Sequence, residues 1–196
     1  LLARAGVETV VFISSMAAFE GCRSLYGRAK LDIEQEAARL GAFIVRPGPI
    51  YGKQAGGLLG AMRNAVSRLP VVPLIGRGNH PLYLAHEEDI CRLLLGLCEN
   101  PSEEARARPI SAAERRPLPF RQLLKDIASA AGRNPLFVPV PSALLIAGLR
   151  GIEAMGLRIG VRSDGIVSLV HSNLEPDFEL TERLAMSFRN FSPMEL

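Results

Sequence analysis

Hydrophobic positions along the chain alternate between two patterns. In residues 8–15, ETVVFISS, the run Val10-Val11-Phe12-Ile13 is unbroken and mostly β-branched. That predicts a strand buried on both faces of a parallel sheet. Residues 16–25 are small and glycine-bearing and read as a loop. Over residues 26–40, apolar or small side chains fall at helical spacing (Ala29, Ile33, Ala37, Leu40), and Gly41 is placed to cap the helix. A second apolar run, residues 42–45, is stopped by Arg46-Pro47-Gly48-Pro49. Strand, loop, helix and strand make a βαβ unit, with parallel strands and a right-handed crossover.

Beyond Tyr51-Gly52 the pattern changes. Helices are predicted at about 57–69, 86–99, 119–131 and 142–155. A Pro-rich stretch fills 70–81, a short strand 108–112, and residues 137–141 (FVPVP) are extended. From residue 161 onward short helices and turns are mixed. The chain therefore reads as α/β.

Composition narrows the classes. The chain has 196 residues, 48% hydrophobic and 22% charged, which suits one domain with a core or one domain plus a small lobe. Net charge is +3, and no run of five basic residues occurs, so no nucleic-acid partner is expected. Cys22, Cys91 and Cys98 are odd in number and fit no zinc spacing. They suggest a reducing, cytoplasmic compartment. No stretch of 18 uncharged apolar residues exists. The start at Leu1, in what reads as the end of a helix, suggests a cut. Residues 141–160 carry Leu144, Leu145, Ile146, Leu149, Ile152 and Met155, interleaved with Arg150, Glu153 and Arg158. Such a face covers its own lobe or a neighbouring subunit more often than a membrane surface. Membrane contact is thus not expected, and a homodimer is admitted.

The candidate chemistry centres on Tyr26-Gly27-Arg28-Ala29-Lys30. Tyr and Lys four apart on a helix share one face, one turn apart. A free phenol, with a pKa of about 10, is a poor base at neutral pH, and a nearby ammonium favours its phenolate. Such a phenol could exchange a proton with an alcohol or carbonyl oxygen. Ser14 and Ser15 end the preceding strand, and ligands of open α/β sheets sit outside the carboxyl ends of the strands. An ordinary surface tyrosine with a solvated lysine, and a serine turn satisfying its own backbone, are the competing readings.

Together, ISS at a strand end, then YGRAK, then IVRPGPIYG resemble the extended short-chain dehydrogenase/reductase superfamily. That group includes nucleotide-sugar epimerases and dehydratases, 3β-hydroxysteroid dehydrogenases and dihydroflavonol reductases. The resemblance is strong over residues 8–52 and looser over 80–141, where Ala85-His86-Glu87-Glu88-Asp89-Ile90 is similar to a Val-His-Val-Asp-Asp-Val segment. It implies the C-terminal part of a Rossmann-type doubly wound parallel sheet over residues 1–55. Residues 56–196 would then be mainly a small mixed α/β substrate lobe, with a further strand and helix returning to the sheet.

By position, the resemblance makes Tyr26 the acid/base and Lys30 its partner and a holder of the nicotinamide ribose. Ser15 becomes the hydroxyl that orients the substrate. Counting back from Gly21 instead would put Met16 at that position. Pro47 and Gly48 would lie near the nicotinamide of NAD or NADP, with backbone amides on its carboxamide. Ser14, Met16, Arg46 and His86 would face a small-molecule substrate. For His86 and Asp89, capping and dipole contacts at a helix start are the blander reading. The implied activity is an NAD(P)-dependent oxidoreductase, epimerase or dehydratase, with a non-catalytic assembly protein of the same fold as the alternative.

Two features depart from the pattern. No Gly-x-x-Gly-x-x-Gly follows a strand, and Gly56-Gly57 with Gly60 follows a polar loop instead. Only ten residues separate Ser15 from Tyr26, where family members with nucleotide-sugar substrates usually carry a longer insertion, so the resemblance hints at a smaller or different substrate.

Overall fold

The structure is a computed structural model that describes residues 6–53, 56–157 and 160–195. Strand β1 (Val11–Ile13) leads through a loop into helix α1 (Leu25–Arg39) and back to β2 (Phe43–Pro47). The two strands pair in parallel, Val11 opposite Phe43 and Ile13 opposite Val45. Next come β3 (Ile50–Tyr51), α2 (Gly57–Arg68), β4 (Val71–Ile75), β5 (Pro81–Leu82), β6 (Ala85–His86) and α3 (Glu87–Glu99). The second half contains α4 (Glu103–Ala107), β7 (Ile110–Ala112), β8 (Leu118–Pro119), α5 (Phe120–Ala130) and β9 (Leu136–Val140). It ends with α6 (Ser142–Ala154), α7 (Ser163–Val170), α8 (Glu179–Arg183) and a 3-10 turn, Pro193–Glu195. The expected helix end at the start of the chain falls on residues 1–5, outside the described residues, as does Arg158.

The principal sheet has the order β1-β2-β7, all parallel. Phe43 and Val45 of the central strand are fully buried, each contributing about 1.5–3 kcal/mol of apolar burial. They belong to a core closed by Ile90, Leu93 and Leu97 of α3 and by Phe178 and Leu180 near α8. A second core gathers Leu59, Met62 and Val66 of α2 with Leu123, Leu124 and Ile127 of α5 and Ile166 and Leu169 of α7. Leu145, Ile146 and Leu149 of α6 pack against this second core, whereas Leu144 stays exposed. Among the described residues no helix is long and apolar enough to cross a membrane.

Three expectations are corrected. The first strand forms, but it is not buried on both faces: it stands at the edge of the three-stranded sheet, with Val11 and Phe12 half-buried and Ile13 exposed among the described residues. Arg46-Pro47 does not stop the second strand. β2 runs through both, with Arg46 opposite Ser111 and Pro47 opposite Ala112. Proline is tolerated as its last residue, where no further ladder amide is required, and its carbonyl still accepts from Met16 N (2.9 Å). The Pro-rich stretch from residue 70 contains β4, which pairs in parallel with β9 over five residues. Pro73 and Pro139 fit because, among the described residues, this ladder has two strands, so an N–H missing on an outer edge leaves no bond unmade.

Gly48 follows β2 directly, and its position is sterically fixed. A Cβ there would lie 1.6 Å from the Tyr83 carbonyl oxygen. No rotamer relieves a clash between backbone atoms, so the strands on either side would have to separate. Gly48→Ala should therefore cost about 3 kcal/mol or more, read as a lowered urea midpoint, whereas Gly56→Ala, which meets nothing within 4 Å, should shift the midpoint far less.

Candidate active site

The first turn of α1 carries Tyr26, and the second carries Lys30. Ser24 caps the helix, its buried Oγ accepting from Gly27 N (3.0 Å). Gly27 is needed for a different reason. A Cβ there would stand 2.3 Å from the Ala17 carbonyl, so its absence lets the loop after β1 lie directly on the helix. Tyr26 is 50% exposed at the cleft. The Lys30 ammonium lies 5.8 Å from the Tyr26 ring centre and 4.9 Å from that of Phe12. It donates to the Ile13 carbonyl (2.8 Å), at the carboxyl end of β1. One ammonium proton is thus spent on holding the side chain, and two remain for a ligand.

The loop leaving β1 keeps pairing with β2. Ser14 N donates to Val45 O (2.7 Å) and Met16 N to Pro47 O (2.9 Å). Ser15 Oγ accepts from Ala17 N (3.1 Å), which leaves its hydroxyl proton available to donate. The Ser14 side chain is buried, and its Oγ has no hydrogen-bond partner among the described residues. An orphaned buried hydroxyl costs about 1–3 kcal/mol unless something supplies a partner.

Ser14, Ser15, Met16, Tyr26, Lys30, Pro47 and Gly48 all line one cleft of about 1160 Å³. Leu58, Leu82, Tyr83 and Leu169 face it from the segments beyond β2. At Pro47 and Gly48 no backbone amide is left for a carboxamide. Proline has none, and Gly48 N donates to Ala112 O (3.3 Å). These two residues offer the cleft packing surface.

Two other candidates lie elsewhere. Arg46 binds Glu34 of α1 through two bonds, Nε to Oε1 (2.8 Å) and Nη2 to Oε2 (2.6 Å), and borders a separate cavity of about 190 Å³ with Met16. His86 is buried at the start of α3, its Nδ1 accepting from Glu88 N (3.2 Å) and its ring edge-on to Tyr51 (5.0 Å). Capping and packing account for these contacts. The Tyr51 hydroxyl donates to Asn190 O (3.0 Å), and burial, with Glu195 and Asp89 nearby, pushes this phenol up to about 12. It is held protonated and is no acid/base at neutral pH. Burial and Glu175 also raise Tyr83, which donates to Leu174 O (2.9 Å).

The sequence reading missed Glu34, Ser172 and Asp164. Glu34 is four residues past Lys30 on a helix face shared with small and apolar side chains, a detectable sign of a carboxylate with a buried partner. Ser172 Oγ, like that of Ser14, is a buried hydroxyl without a partner among the described residues, and it lines the same cleft. Asp164 reaches α1 from 139 residues away, a distance no local pattern reveals.

No protein-family profile and no curated sequence matches the chain. Solved structures do share its fold. MoeE5 in complex with UDP-glucose and NAD aligns at TM-score 0.67 and 17% identity, over 99% of this chain and 64% of that one. The UDP-glucose 4-epimerase of Thermus thermophilus, in complex with NAD, aligns at 0.56 and 20% identity, over 86% and 65%. The dTDP-4-dehydrorhamnose reductase of Bacillus anthracis str. Ames, in complex with NADP, aligns at 0.57 and 16%, over 82% and 63%. The chain thus spans just under two thirds of these structures. It has the mixed α/β architecture with parallel sheets that they share.

Asp89, also on α3, secures the end of the chain. Its buried carboxylate accepts from Arg189 N (2.9 Å), binds the Arg189 guanidinium (3.0 Å) and pairs with Arg92 (2.8 Å). Burial alone would raise this carboxyl, but the bonds to Arg189 and the charges of Arg189 and Arg92 outweigh it and hold the pKa below the usual value. A carboxyl depressed in the folded state stabilises the fold above its ordinary value, and the contribution is lost as pH falls through the folded value. Thermal stability should therefore drop below about pH 4, and Asp89→Asn should flatten that acid limb while lowering stability at neutral pH.

Proposed function

We propose that this chain carries the catalytic half of an NAD(P)-dependent oxidoreductase or epimerase/dehydratase of the extended short-chain dehydrogenase/reductase superfamily. The observation that carries the proposal is the convergence of Tyr26, Lys30 and Ser15 on one cleft at the carboxyl ends of β1 and β2. Support for the class comes from the fold shared with an epimerase and a reductase.

The residues present fit the nicotinamide end of a dinucleotide. Lys30 retains two donors for ribose hydroxyls, Pro47 and Gly48 give packing surface, and the unpartnered Ser14 hydroxyl is a polar demand that the described residues do not meet. When bound, NAD or NADP would supply the hydride acceptor or donor. The work left to this chain is placement and proton movement. Tyr26 Oη gives or takes the proton of the substrate oxygen. Ser15, whose oxygen is oriented by Ala17 N, donates to that oxygen and fixes its direction. Lys30, anchored on Ile13 O, keeps a positive charge 5.8 Å from the centre of the phenol ring. Pro47, Leu58, Leu82 and Leu169 restrict water around the reacting carbon.

The test uses the full-length protein, with UDP-glucose and NAD, or dTDP-4-dehydrorhamnose and NADPH, as probes. Tyr26→Phe should lower kcat about 10²- to 10⁴-fold, while NADH or NADPH binding, followed by nicotinamide fluorescence, changes less than about threefold. Lys30→Met should weaken cofactor binding about tenfold as well as lowering kcat, since it removes donors from the ribose. Unchanged turnover in Tyr26→Phe would overturn the proposal and leave the assembly-protein reading.

A further inference from the structure

We propose that Asp164 is a positioning residue for Tyr26. The inference rests on the assignment of Tyr26 as the acid/base. A helix leaves its first amides without intrahelical partners, and a charge-assisted bond to one of them is stronger than a neutral one. In α1 those donors are Leu25 N, Tyr26 N and Gly27 N, because Arg28 N already bonds Ser24 O (3.1 Å). Ser24 Oγ satisfies Gly27 N alone. The first turn of α1 contains no acidic residue of its own. Both remaining amides are taken by one carboxylate from the distant helix α7. Leu25 N donates to Asp164 Oδ1 (2.7 Å) and Tyr26 N to Asp164 Oδ2 (3.0 Å).

Asp164 is itself in the first turn of α7. Its charge therefore lies where the positive ends of two helix dipoles meet, and each favours it. The bond to Tyr26 N is made to the backbone of the very residue that must present its phenol to the cleft. Tyr26 needs such a clamp. Its side chain is half-exposed, and the tyrosine next to it in sequence order, Tyr51, is fixed by a hydroxyl bond and full burial that Tyr26 does not have. The Tyr26 hydroxyl makes no bond among the described residues that would hold the ring. The backbone clamp, the Ser24 cap and the Lys30 ammonium set where the ring starts from.

The same helix supplies part of the cleft lining. Gly165, Ser168 and Leu169 of α7, like Asp164, line the cleft with Tyr26. Asp164 thus ties this part of the lining to the first turn of α1 through two hydrogen bonds, which set where Tyr26 stands relative to α7. A displacement of about 1 Å at a reacting group can cost roughly a hundredfold in rate. Loss of Asp164 should accordingly act on kcat through Tyr26.

The chain has only three tyrosines, so fluorotyrosine labelling of the full-length protein gives three resolved fluorine NMR lines from this region. Tyr26→Phe assigns the Tyr26 line. The Tyr51 and Tyr83 rings, bonded to Asn190 O and Leu174 O, report on the rest of the fold. Asp164→Ala should shift or broaden the Tyr26 line and leave the other two in place, and Asp164→Asn, which keeps one acceptor, should give an intermediate effect. In turnover, Asp164→Ala should lower kcat about ten- to a hundredfold with KM changed far less, and should add less than about twofold in the Tyr26→Phe background. An unmoved Tyr26 line, a joint shift of all three lines, or an additive loss in the double variant would overturn the proposal. The NMR arm needs no substrate, so it judges Asp164 separately from the Tyr26→Phe turnover test, whose failure would remove the catalytic reading itself.

Discussion

The ion pair between Glu34 and Arg46 is the contact on which the site's geometry turns. It joins α1, which carries Tyr26 and Lys30, to β2, which carries Pro47 and leads into Gly48. Glu34 is almost fully buried and Arg46 about one quarter exposed. A carboxylate so enclosed is costly unless its partner holds it with near-ideal geometry, and a two-pronged guanidinium bond meets that requirement. Removing Arg46 would leave the buried charge of Glu34 unpaired, so the pair favours one seating of the helix and disfavours a slide along the strand. Because Glu34 is one turn from Lys30, that seating also fixes where the ammonium meets Ile13 O.

From this clamp the remaining constraints follow in order. The β1–β2 ladder continues past the end of β1, with Ser14 N and Met16 N both donating to β2 carbonyls. The loop is therefore an extension of the sheet with defined side-chain directions. Gly27 lets that extension lie on α1, and Gly48 lets the other side of the cleft close against Tyr83. Each glycine is required by the approach of one carbonyl. Together they show why short loops suffice here, since the walls meet backbone to backbone with no side chain between them.

The legible part of the molecule was the part written in local pattern. The run Val10–Ile13, the helical spacing from Tyr26, and the return through Phe43 and Val45 were readable because apolar periodicity carries strand and helix directly. The Tyr26–Lys30 spacing was readable for the same reason. What failed to show was non-local. The stretch around Pro73 read only as Pro-rich, and nothing local pairs it with the extended segment around Pro139, the two forming a parallel ladder whose prolines sit on its outer edges. Arg46 looked available for a ligand because nothing in sequence links it to Glu34. Asp164 lies in a stretch that reads only as mixed short helices and turns, and its two bonds to α1 depend on how distant segments fold together.

The serine question shows how far geometry can sharpen such a reading. Aligning on the strand end favours Ser15, and counting from Gly21 favours Met16. The ladder puts the amides of Ser14 and Met16 into bonds with β2 and leaves the residue between them free of it. A thioether offers only a weak acceptor to a substrate oxygen, so Met16 cannot do the work of a hydroxyl. Ser15 Oγ is oriented by one amide and keeps its proton to give, whereas Ser14 Oγ is enclosed without a partner among the described residues. The two hydroxyls therefore present different chemistry at one cleft, an oriented donor at Ser15 and an unsatisfied hydroxyl at Ser14.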